Sequence, residues 1–136
     1  MAGVDVDRVV LAAADGDTAT VMAAIEAGMS PDARASGGWT ALIAAARNGR
    51  LSTVEALIAR GADPDAANPR GTTPVMFAKT HAFASGDLAV LEALAAAGAD
   101  LNARDAAGLT VLDYVETRAS RVVAWLTAHG ATRAGS

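Results

Sequence analysis

Residues 38–66 read GWTALIAAARNGRLSTVEALIARGADPDA, and residues 71–103 read GTTPVMFAKTHAFASGDLAVLEALAAAGADLNA. Each opens on Gly-x-Thr, and each closes on Gly-Ala-Asp with an alanine three residues on. Two helical patterns lie between. Thr40 and Thr73 stand where a helix N-cap is needed, as does Thr110 further on, since a hydroxyl there accepts a first-turn backbone N–H. Pro74 follows at the first helical position, where its missing N–H is harmless. Ala44, Ala45 and Ala46 keep the first helix thin enough for a neighbour to approach closely. The second helix carries the amphipathic spacing Leu51, Val54, Leu57, Ile58, which returns as Leu88, Leu91, Leu94 and more loosely as Val123 and Leu126. Gly61, Gly98 and Gly130 then end these helices in the left-handed conformation that glycine adopts cheaply.

The copies recur with a period. Thr40 to Thr73 is 33 residues and Thr73 to Thr110 is 37, while Gly28 to Gly61 is 33, Gly61 to Gly98 is 37 and Gly98 to Gly130 is 32. A repeat of this length marks stacked units, none of which buries its apolar face alone. The chain divides into a degenerate first unit at residues 5–33, full units at 34–66 and 67–103, a closing unit at 104–131 and a tail at 132–136. Together they make a single domain over 1–136. Asn68-Pro69-Arg70-Gly71 is a β-turn signal and predicts the hairpin tip between two units. Acids in DVDRVV at one end, and Arg118, Arg121 and His129 at the other, predict polar caps and hence a finite, monomeric rod. Trp125 stands apart: it packs as end-cap core or serves as a dimer contact.

These copies resemble the ankyrin repeat, whose pattern runs G-x-T-P-L-H-x-A-A, then a glycine, then a leucine-rich helix ending in G-A-D-x-N-A. The histidine of that motif is replaced by Ile43, Met76 and Asp113; Asp113 is read as structural. The resemblance implies an all-α repeat solenoid of about four helix-turn-helix units joined by β-hairpin-type loops. It also implies a concave face, built from hairpin tips and first helices, on which partner proteins are held. The matching positions are Ser36, Trp39, Arg47 and Asn48; Pro69, Arg70, Thr72, Thr80 and Ser85; and Ala106, Ala107, Leu109 and Thr117.

Composition bounds the chemistry. The 136 residues contain no cysteine, which excludes disulfides, thiolate metal sites and a cysteine nucleophile and suits a reducing cytoplasm. MAGVDVDR places two aspartates where a secretory leader needs basic residues, so no export signal is expected. The abundance of Ala, Arg and Gly suggests a bacterial gene. Net charge is −4 with a pI of about 5.0, contrary to the clustered bases a nucleic-acid binder requires; no membrane association is expected either. The charge is unevenly placed. Residues 1–33 hold six acids and one base, residues 34–81 six bases and three acids, and residues 82–136 four bases and six acids.

His81 and His129 are the two histidines, and neither stands near a nucleophile elbow or metal-ligand spacing. No catalytic residues, metal or cofactor are expected. Asp15/Asp17 and Asp63/Asp65 read as solvated loop charges. Lys79 and Glu116 replace the small residue represented by Ala46, so they pair across the unit boundary or face a ligand. Met76 and Phe77 read as packing.

The third unit is longer by four residues around Thr80, His81, Ala82 and Phe83, close to one α-helical turn. The economical expectation is a one-turn extension of its first helix that carries His81 and Phe83 onto a ledge beside Arg47, Arg70 and Lys79; a bulged loop before Ser85 is the alternative. The expected function is a non-catalytic adaptor, inhibitor or regulator binding one protein with an acidic surface. Its candidate contacts are Trp39, Arg47, Asn48, Arg70, Thr72, Thr80, His81, Phe83 and Leu109, with Trp39 either contacting the partner or packing on the neighbouring hairpin. The alternative is an enzyme or small-molecule binder using a groove around His81, Asp113 and Tyr114.

Overall fold

A computed structural model of the chain describes residues 4–115 and 120–135. It contains helices α1 (Val6–Ala14), α2 (Thr18–Glu26), α3 (Ala41–Arg47), α4 (Leu51–Ala59), α5 (Pro74–Ser85), α6 (Ala89–Ala96) and α7 (Arg121–Ala128), with 3₁₀ turns at Ser36–Gly38 and Val111–Tyr114. No strand occurs among the described residues. The architecture is the all-α repeat solenoid expected, with α1 against α3 against α5 as an inner layer and α2 against α4 against α6 as an outer one.

Local chemistry sets the helix starts. Asp5 and Asp17 accept from the backbone N–H groups of Arg8 and Thr20, and Thr40 and Thr73 accept from those of Ile43 and Met76. In α3 every residue from Ala41 to Ala46 is buried, which the run of alanines permits. Val21, Val54, Leu57, Leu91, Leu94 and Leu126 are fully buried between the layers. In the last unit the register departs from the expected one: Val122 is buried and Val123 is only half-buried. Val123 matches Val54 and Leu91 in the repeat, but no further unit follows in the described chain to cover it. Trp125 is half-buried against the core and stacks on His129, ring centroids 4.1 Å apart.

Hydrogen bonds tie the units along two edges. At the base of the outer layer the Asp63 N–H donates to Asp32 at 2.8 Å, Asp100 to Asp65 at 2.7 Å, and Thr132 to Asn102 at 2.7 Å. The Asp63/Asp65 pair is therefore part of an inter-unit ladder and not a pair of merely solvated loop charges; a carboxylate can accept from the next unit because the repeat brings equivalent loops side by side. Asp17 likewise caps α2.

At the other edge the tips form three short turns at residues 35–39, 68–72 and 105–109. In the second, Asn68 accepts from the N–H groups of Arg70 and Thr72; in the third, Asp105 does so from Ala107 and Leu109. Ala35 has no such acceptor. Asp7 of the first unit supplies one instead, taking the Ser36 N–H and hydroxyl, both at 2.7 Å. Neighbouring tips also touch, for the Ala106 N–H donates to the Arg70 carbonyl at 2.8 Å. A β-carbon on Gly71 would lie 2.9 Å from backbone atoms of Asp105 and Ala106, and φ there is +74°.

The added residues of the third unit are helical, so α5 has 12 residues against 7 in α3. It ends on Gly86, which is left-handed with φ 75°. Ahead of α7, at the position that α3 and α5 take in their pairs, Val111–Tyr114 form a 3₁₀ turn, after which Val115 is extended. Asp113 has a structural place there, accepting from the backbone N–H groups of Thr110 and Ala134 at 2.8 and 3.0 Å. The Thr110 hydroxyl lies 2.7 Å from the Thr132 carbonyl and donates to it. Glu116, Thr117 and Arg118, named above for pairing, contact and capping, lie outside the described residues.

Candidate partner-binding trough

The tips and the inner helices enclose three adjoining cavities along one face. The first, of about 340 Å³, lies between units one and two and is lined by Asp7, Val10, Leu11, Trp39, Arg47 and Asn48 among others. Trp39, Arg47, Arg70, Thr72 and Phe77 contribute to the second, of about 490 Å³, between units two and three. The third, of about 430 Å³ between units three and four, takes Arg70, Thr72, Phe77, Lys79, Thr80 and Tyr114. Shared residues make the three one trough: Trp39 and Arg47 join the first to the second, and Arg70, Thr72 and Phe77 join the second to the third.

Trp39 has two side-chain neighbours. Its ring lies 5.1 Å from that of Phe77, tilted by 41°, and the Arg47 guanidinium carbon lies 5.5 Å from its centroid. The first is a tilted aromatic contact and the second a cation–π contact. Trp39 thus packs on its neighbours, and it is half-buried, lining the first and second cavities. Phe77, expected as packing, shares the floor of two cavities.

The acids along the trough already have partners. Ser36 holds Asp7 below the usual carboxylate range, its backbone N–H first and its hydroxyl second. Asp105 is lowered chiefly by the Tyr114 hydroxyl and then by the Leu109 N–H. The same bond raises Tyr114. Lys79 sits 5.6 Å from the Tyr114 ring centroid, and burial lowers its ammonium from the usual lysine range.

Of the nine candidate contacts, Trp39, Arg47, Asn48, Arg70, Thr72 and Thr80 line the trough. The Asn48 amide nevertheless donates to the Ala14 carbonyl at 2.9 Å, which ties it to the end of α1. His81, Phe83 and Leu109 line none of the three cavities. His81 instead faces the preceding unit against Gly49, and Phe83 is 43% exposed near the end of α5. Nor does the trough gather the alternative trio. Tyr114 lines the third cavity, whereas Asp113 is engaged by Thr110 and Ala134 and His81 lies against the second unit.

Leu11, which is 67% exposed, is an addition. The first unit lacks the Gly-x-Thr landmark that would fix its register, so the acids of DVDRVV point to a wholly polar end. The available signal is helical spacing. Leu11 stands one turn after Asp7 and Arg8, on the face of α1 opposite the buried Val9 and Ala13.

A family model describing ankyrin repeats in three copies matches residues 9–105. The chain belongs to the ankyrin repeat family. Ankyrin repeats are generally protein–protein interaction modules, and the trough lies on the face built from their tips and inner helices. No curated protein matches the chain. Among the described residues no cluster of His, Cys, Asp or Glu could hold a metal ion, and no helix is long and apolar enough to cross a membrane.

Proposed function

We propose that this ankyrin domain is a non-catalytic adaptor, inhibitor or regulator that holds one partner protein in the trough, acting in the cytoplasm and monomeric when unbound. The observation that carries this reading is the fixing of Trp39 by Phe77 and Arg47 at the junction of two cavities. Tryptophan and arginine are the side chains that most often dominate binding energy. A ring already held in place loses little freedom on association, so more of its contact energy appears as affinity. Leu11 extends the apolar surface toward the first unit.

Capture from a lysate of the native host, read by mass spectrometry, tests this proposal. Wild type, Trp39→Ala and Glu55→Ala serve as baits, the last altering an exposed residue of α4 in the outer layer. One stoichiometric partner retained by wild type and Glu55→Ala but lost from Trp39→Ala supports the proposal. Equal retention by all three contradicts it.

A further inference from the structure

With the trough taken as the binding face, we infer that its occupant is an extended acidic segment of a partner protein. Its Asp or Glu side chains meet Arg47 and Arg70, and an adjacent apolar side chain lies over Trp39 and Phe77. The central cavity is lined by two guanidinium groups and two aromatic rings, with no carboxylate among its lining residues.

The other arginines show why these two matter. Arg34 donates to the carbonyls of Gly38 and Ala67, Arg50 to that of Ala14, Arg121 to that of Gly86 and Arg133 to that of Leu112, while Arg60 pairs with the Glu26 carboxylate. Each is part of the scaffold. Among the described residues the guanidinium groups of Arg47 and Arg70 make no such bond, and Arg8 and Arg104 line none of the cavities. Arg47, over the Trp39 ring, and Arg70 both line the central cavity, where their planar donors suit bidentate contact with carboxylates.

The acids at either end stay charged, Asp7 bonded to Ser36 and Asp105 to Tyr114 and its own tip, but neither lines the central cavity, where Arg47 and Arg70 stand without a carboxylate. Lys79 adds a third cation beside Arg70. A chain of net charge −4 that nonetheless assembles cations along one trough is locally complementary to an acidic ligand. Two or three cations are too few to make the phosphate-tracking stripe of a nucleic-acid binder. Leu11 at one end gives an apolar flank to the same segment.

The test is selection of a random linear peptide library on the whole immobilised chain, followed by titration of synthetic winners. Peptides rich in Asp or Glu next to Leu, Phe or Trp are expected. Their amide counterparts, with Asn and Gln, are expected to bind about tenfold or more weakly, and Arg47→Glu or Arg70→Glu to weaken the acidic peptide similarly. Arg60→Glu, in the outer layer, is expected to leave affinity within about twofold, and circular dichroism checks that every variant is folded. Neutral or basic winners that still require Trp39 overturn the acidic inference and leave the binding face standing. No enrichment over bare support, or preferential binding of a labelled single-stranded oligonucleotide, overturns the inference also, while the lysate capture decides the broader reading separately.

Discussion

His81 lies so near Gly49 that a β-carbon on the glycine would collide with the imidazole, and φ at Gly49 is +70°. The longer α5 thus leans on the turn between α3 and α4; conformation calls for the glycine, and an added β-carbon would have to displace the imidazole. Gly49→Ala is expected to destabilise the domain by about 2–3 kcal/mol, combining left-handed strain with displacement of the imidazole. In a His81→Ala background the same substitution is expected to cost at least ~0.5 kcal/mol less. Urea denaturation of the four proteins measures both; strict additivity would show that the ring and the glycine are uncoupled.

The loop ladder gives a second prediction. Asp65→Ala removes the acceptor for the Asp100 N–H, and Asn102→Ala removes the partner of both the Thr132 N–H and the Gly130 carbonyl. Each lost bond is expected to lower stability by about 1 kcal/mol, so Asn102→Ala is the more damaging. Equal midpoints for wild type and Asn102→Ala in urea would mean that these bonds contribute nothing in water.

Acid should act through the tips. Asp7, Asp105 and Asp113 are all held below their ordinary range, chiefly by Ser36, by Tyr114 and by the Thr110 N–H respectively. A carboxylate lowered by folding stabilises the folded state above its unfolded pKa of about 3.9, and that contribution is lost as pH falls through the lower folded value. Thermal midpoints are expected to fall as pH drops below about 4, and to fall less steeply for Asp113→Asn. A wild-type midpoint that holds or rises over that range would contradict the assignment.

Much of the fold was legible because its determinants are local. Thr40, Pro74 and Gly61 act within one turn of the chain, and a period near 33 residues implies that neighbours repeat the same contacts. The lining of the candidate trough was legible where it shares those landmarks, as with Trp39 beside Thr40 and Arg70 in the turn after Asn68. It was not legible where a contact depends on another unit. Nothing in the sequence places Asp7 on Ser36, or aims His81 at Gly49 and away from the trough. Leu11 was missed for the same reason, since its exposure depends on how α1 packs against α3.

The central claim is that partners are held against Trp39 in the trough. Trp39 and Trp125 are the two tryptophans, so a ¹H–¹⁵N spectrum of the labelled domain offers two indole N–H signals, assignable with Trp125→Phe. On addition of the captured partner or a selected peptide, the Trp39 indole is expected to shift or broaden while that of Trp125, stacked on His129 at the end of the stack, stays in place. A shift confined to Trp125, with Trp39 unmoved at saturation, would contradict the account.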